Sequence, residues 1–185
     1  MLYREFGKLG WQVSTIGLGT WNIGNQWGDI DDATAWATVR KAFECGVNLF
    51  DTAESYGTPN GLSEERLGVA LSGIRHQVYV ISKIGHWGKR TGQEVPKNTV
   101  DMIRLCAHAS LGRLRTDWVD VLLCHEADIE DPSIYLEAFE ELKKQGRLRA
   151  YGISTNNLEV LKRFNVHNTC QVVEVDYSLC NRAPE

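Results

Sequence analysis

Six short apolar runs recur along this chain at intervals of about 30 residues, the size of one strand-helix unit, and that recurrence leaves few folds open. The runs are Ile16 to Leu18, Val47 to Phe50, Val78 to Ile81, Val119 to Cys124, Leu148 to Ile153 and Val172 to Val175. Between them lie helix-like stretches: Ala33 to Cys45, Ser63 to Leu71, Asn98 to Leu111, Ser133 to Lys144 and Leu158 to Phe164. Strands that alternate with helices in this way lie parallel in one sheet, so an α/β fold is expected. Asp31 or Asp32, Ser63 and Ser133 are candidate helix N-caps, and Gly46, Gly112 and Gly146 are expected just past helix ends. A doubly wound dinucleotide fold calls for G-x-G-x-x-G in its first turn, and Gly17-Leu18-Gly19-Thr20-Trp21-Asn22 lacks the third glycine. A (β/α)8 TIM barrel is therefore preferred.

Residues 1–15 precede the repeat and read as a hairpin, Leu2 to Phe6 and Trp11 to Ser14 around Gly7-Lys8-Leu9-Gly10, expected to lid the barrel floor. The reading is one domain over 1–185, with strands one to six in 16–185. A closed barrel of eight units takes about 250 residues. The expectation is a barrel truncated after strand six, as a fragment or shortened product, with completion by a second chain ranked behind it.

Composition narrows the partners. The formal net charge is −4 with both signs interspersed, which disfavours nucleic acid and anionic lipid surfaces. Five cysteines, Cys45, Cys106, Cys124, Cys170 and Cys180, form no C-x-x-C pair and fit reduced thiols better than a disulfide framework or a zinc site, so no metal is expected. No stretch approaches the roughly 20 apolar residues of a membrane span, and a soluble cytoplasmic protein is expected.

The chemistry gathers where the apolar runs end. Asp51 follows the second run with Tyr56 five residues on, Lys83 lies just past the third, and His125 closes the fourth. Neighbouring strands are roughly 5 Å apart, and barrel chemistry collects at their C-terminal ends. A phenol with a pKa of about 10 donates its proton poorly near neutrality unless a cation stabilises the phenolate. Lys83 can be that cation, Asp51 can hold the lysine, and His125 can polarise a carbonyl oxygen. The set suits protonation of an alkoxide as it forms. Plainer readings exist for each residue: Asp51 as a turn cap, Lys83 as a solvated strand end, His125 as a satisfied core imidazole. Three complementary groups on three consecutive strand ends favour the shared site.

These residues carry a resemblance. Phe50-Asp51-Thr52-Ala53-Glu54-Ser55-Tyr56-Gly57 and Gly61-Leu62-Ser63-Glu64-Glu65-Arg66-Leu67-Gly68 resemble the aldo-keto reductase family. So do Gly17 to Trp21, Ser82-Lys83, Asp120 to His125 and Gly146 to Ser154, and the likeness covers the first six units of that family's barrel. It implies an NAD(P)H-dependent oxidoreductase that reduces a small-molecule aldehyde or ketone, with NADPH, or alternatively NADH, as cofactor. Tyr56 is then the general acid, Asp51 and Lys83 its tuners, and His125 the group that orients the carbonyl. Gly19, Thr20, Trp21, Asp51, Ser154 and Gln171 fall where the family binds cofactor, and Trp87 where it walls the substrate pocket. Two departures are visible: Ser154 is followed by Thr155, with Asn156 one place late, and the family's last two units, which carry the stacking aromatic and the pyrophosphate and adenosine contacts, have no counterpart. Tyr177 beyond strand six is open between packing and ligand contact.

Two other readings compete. A Schiff-base aldolase would use Lys83 as nucleophile, against which Asp51 argues because a nearby carboxylate raises a lysine pKa. A non-catalytic redox-sensing or regulatory barrel, or an inactive truncated fragment, would have no need of the proton donor.

Overall fold

The computed structural model describes residues 1–85, 93 and 95–185. An antiparallel hairpin of β1 (Tyr3–Glu5) and β2 (Gln12–Ser14) comes first, joined through a short 3-10 turn, Gly7–Leu9. There follow β3 (Leu18–Gly19), β4 (Leu49–Asp51), β5 (Tyr79–Ile84), β6 (Val119–Cys124), β7 (Leu148–Ser154) and β8 (Val172–Glu174). These six strands form one sheet in consecutive order, every neighbouring pair parallel. The crossovers carry α1 (Asp32–Glu44), α2 (Leu62–Ala70), α3 (Val100–Leu114), α4 (Ser133–Lys144) and α5 (Leu158–Phe164).

The sheet is curled as a barrel wall. In a flat sheet β5 and β8, three strands apart, would be separated by roughly 14 Å. Here Lys83 Nζ on β5 lies 3.5 Å from Glu174 Oε1 on β8. Strand periodicity divides the core accordingly. Ile81, Val121, Leu123, Ala150 and Val172 line the concave side. Phe50, Val80, Leu122, Cys124, Tyr151 and Ile153 face the helices and pack with Val39, Leu67, Ile103, Leu111, Phe139, Leu142, Val160 and Phe164.

The hairpin closes the floor as expected. Phe6, Leu9 and Trp11 pack beneath the concave cluster. Trp11 stacks on Tyr79 with ring centroids 5.1 Å apart, and the Arg149 guanidinium lies 4.3 Å above the Trp11 ring. Arg149 also pairs with buried Asp120 at 2.7 Å, and Arg75 holds the other carboxylate oxygen at 2.9 Å.

Helix punctuation differs from expectation at three places. Asp31 does cap α1, its carboxylate accepting from the Thr34 amide at 2.7 Å. Ser63, in contrast, lies inside α2 behind Gly61, because its hydroxyl is taken by Thr20 and Thr52 in the protein interior. Ser133 is the first helical residue of α4, and Asp131 accepts from its amide. Gly112 is internal to α3, which runs on to Leu114 and ends at Arg115 in the left-handed conformation. Gly46 and Gly146 do sit past helix ends, both at positive φ.

At Gly152 the sheet admits no side chain, since a Cβ there would collide with the Val172 carbonyl oxygen. Gly152→Ala should therefore force β7 and β8 apart and cost about 3 kcal/mol of stability, read by urea denaturation.

Candidate active site

The residues singled out at the strand ends do converge. Lys83 is fully buried on the concave side. Its Nζ lies within hydrogen-bonding distance of four acceptors, both Asp51 carboxylate oxygens at 2.6 and 2.7 Å, the Thr52 carbonyl at 3.1 Å and Tyr56 Oη at 3.2 Å. His125 follows the end of β6 with its ring edge-on to Tyr56, centroids 6.1 Å apart. Two approaches fix these positions. The His125 amide donates to the Ile84 carbonyl at 2.8 Å, and a Cβ on Gly85 would meet the His125 carbonyl at 2.6 Å, so only glycine lets the ends of β5 and β6 come this close.

The Tyr56 loop is held by side-chain amides. Gln26 accepts from the Gly57 amide at 2.8 Å, and Asn60 donates to the Ser55 and Gly57 carbonyls. Trp21 stacks on the Tyr56 ring at 5.4 Å, half-exposed. Trp21, Gln26, Ser55, Tyr56, Asn60 and His125 line a pocket of about 370 Å³. Thr20 is buried and serves the frame, donating its hydroxyl to the Asp51 carbonyl at 2.7 Å. Ser63 Oγ in turn donates to the Thr20 carbonyl at 2.7 Å. Gly19 is open to solvent at the strand end beside Asp51.

The structure brings Ser154 to the rim but leaves Gln171 away from it. Gln171 precedes β8, is exposed, and accepts a hydrogen bond from Lys143 on α4 at 2.8 Å. The β8 residue in register with Ser154 is Glu174, which inspection of the sequence missed. Thr155 is buried and donates to the Ala127 carbonyl, while Asn156 accepts from the Asp176 amide. Tyr177 is exposed and donates to Glu185 at 2.5 Å. Trp87 lies outside the described residues.

Electrostatics assign states to these groups. Burial pulls the Lys83 pKa down, but the attraction of Asp51, Glu174 and Tyr56 outweighs it and the net shift is upward. Lys83 is thus an ammonium, which is wrong for a Schiff-base nucleophile. Tyr56 is raised, first by burial; Lys83 pulls it down, while Asp51 and Glu174 push it up. Glu174 is pushed up to about 7, by burial above all and by Asp51, against the downward pull of Lys83. Burial also pushes the Cys124 thiol up, so this cysteine beside His125 is inert. Among the described residues no group of His, Cys, Asp or Glu is placed to hold a metal ion, and no helix is long and apolar enough to cross a membrane.

The profile of the Aldo/keto reductase family matches residues 15–185. The chain belongs to that family. It is 33% identical to Aldo-keto reductase YhdN of Bacillus subtilis over the whole of this chain and 56% of that protein. It is 32% identical to the NADH-specific methylglyoxal reductase of Escherichia coli, over 94% of this chain and 58% of the relative. Among solved structures, an aldo/keto reductase from Klebsiella pneumoniae in complex with NADP and acetate superposes with a TM-score of 0.78 at 30% identity, covering 97% of this chain and 60% of that one. The chain thus spans less than two thirds of the length of these aldo-keto reductases.

The rim suits the nicotinamide cofactors of such reductases. A carboxamide needs both an acceptor and a donor. The Ser154 hydroxyl can donate and accept, and the Glu174 carboxyl beside it in register can accept.

Asp51→Ala should leave the Lys83 ammonium buried without its principal counter-ion. A loss of about 3 kcal/mol in urea denaturation at neutral pH is expected, with no comparable loss for the exposed pair Lys41 and Glu44.

Proposed function

We propose that this chain carries the acid-base centre of an NAD(P)H-dependent carbonyl reductase in which Tyr56 is the general acid. The observation that carries the proposal is the single Lys83 ammonium shared between Asp51 and Tyr56 Oη beneath a pocket that Tyr56 and His125 line together. When bound, the dihydronicotinamide supplies hydride to the carbonyl carbon. The chain's own part is to place the carbonyl oxygen and deliver the proton.

Tyr56 Oη gives its proton to the oxygen as negative charge develops there. The phenolate left behind faces Lys83 at 3.2 Å, where an ammonium already in position costs no reorganisation. Asp51 fixes that ammonium by accepting through both oxygens, and the Thr20 hydroxyl on the Asp51 carbonyl keeps the strand end in place. His125, edge-on to Tyr56 in the same pocket, orients the carbonyl. Trp21, stacked on Tyr56, lines the same pocket and contributes apolar wall. Ser154 and Glu174 are the residues that would hold the nicotinamide amide.

Methylglyoxal, named for the Escherichia coli relative, is a suitable first substrate, tried with both NADPH and NADH. Tyr56→Phe should lower turnover by about 10²- to 10⁴-fold while leaving cofactor binding, read by fluorescence titration, unchanged. Reduction at the unsubstituted rate in the phenylalanine variant would overturn the assignment.

A further inference from the structure

Glu174 crowds a lysine that already has more acceptors than protons to give. An ammonium carries three N–H bonds. Around Lys83 Nζ stand both Asp51 oxygens, the Thr52 carbonyl, Tyr56 Oη at 3.2 Å and Glu174 Oε1 at 3.5 Å. Asp51 and Glu174 meet at the same ammonium, and the charge of Asp51 helps to push the Glu174 carboxyl up. Two carboxylates thus compete for one cation, and the phenol is the weakest of the competing acceptors. From β7 the register neighbour of Glu174 is Ser154, an uncharged hydroxyl; the charged and titratable groups that face it are Lys83 on β5, Asp51 on β4 and Tyr56 in the loop after β4.

We propose that Glu174 is a positioning residue for the reductase function set out above, acting through Lys83: protonated, it leaves an ammonium N–H for Tyr56, and ionised, it competes for that N–H and makes the phenol a weaker acid. The protonated form leaves one carboxylate against one ammonium. Loss of the proton to solvent gives the cluster a net negative charge, beside which a phenolate is harder to form. Raised to about 7, Glu174 changes state in the neutral range. The proton-donating power of Tyr56 therefore falls as pH rises through that range, independently of Tyr56's own ionisation.

The test separates this inference from the reductase assignment by reading Tyr56 directly. Protein labelled with difluorotyrosine, whose phenol titrates closer to neutrality than tyrosine, is followed by fluorine NMR, with the Tyr56 signal assigned by its loss in Tyr56→Phe. Glu174→Gln should lower the pKa of that phenol by about half a unit or more. No shift, or an upward one, overturns the proposal whether or not the protein reduces carbonyls.

A second measurement needs no substitution. The Glu174 carboxyl carbon, followed by carbon NMR, should titrate near neutrality, and the Tyr56 fluorine signal should show an inflection at the same pH; absence of that inflection also overturns the proposal. Folding gives an independent sign. A carboxyl raised from its ordinary 4.5 to about 7 adds stability that is fully present below 4.5 and is lost as pH rises through 7. That decline should be present in the unsubstituted protein and absent in Glu174→Gln if the variant folds. Where the protein is active, turnover should fall through the same range and lose that limb in the variant; activity absent from both proteins with the fluorine shift intact would count against the reductase assignment alone.

Discussion

An ammonium buried without solvent is among the costliest groups a protein can hold, and the fully buried Lys83 dictates much of what surrounds it. A carboxylate must lie within hydrogen-bonding distance, which Asp51 provides from the neighbouring strand through both oxygens. The remaining N–H capacity must meet acceptors, which fixes the Thr52 carbonyl and the Tyr56 hydroxyl in turn. The curl of the sheet then brings a second carboxyl from β8 to the same nitrogen. Each demand is met from a different element, so the ammonium ties β4, β5, β8 and the loop after β4 to a common point.

The scaffold satisfies these demands through strand geometry. Parallel pairing sets Asp51 level with Ile81, two residues before Lys83 on the same face of β5. Glycine where strands crowd, at Gly85 and Gly152, lets main chains approach more closely than any other residue would allow. Beneath, the Trp11 and Tyr79 stack with Arg149 closes the sheet with rings and a paired guanidinium, so the ion pairs above stand on a packed base.

The parts of this arrangement that sequence alone revealed are those that depend on local order. Asp51 and His125 directly follow largely apolar runs and Lys83 lies two residues past one, and β6, α4 and α5 begin and end where the pattern of residues places them. Register was less accessible. Gln171 has the right amide chemistry, yet it lies three residues before Glu174, off the strand, with its side chain turned to Lys143. Period-two counting from the inward Val172 points to Glu174, whereas the family likeness points to Gln171. Ser63 and Gly112 look like helix punctuation but serve elsewhere, because tertiary contacts to Thr20 and Thr52 claim the serine and the helix runs two residues past the glycine. The upward push on the phenol could not be read from residue types, since it reflects burial and the summed charge of groups from three separate elements.

The chain of hydroxyls from Ser63 through Thr20 to the Asp51 carbonyl anchors the ionised centre to α2 on the outside of the sheet. Trp21, Gln26 and Asn60, which shape the pocket, sit on loops beyond that anchor. Loop residues can therefore be exchanged, and what the pocket admits revised, without disturbing the buried ion cluster beneath.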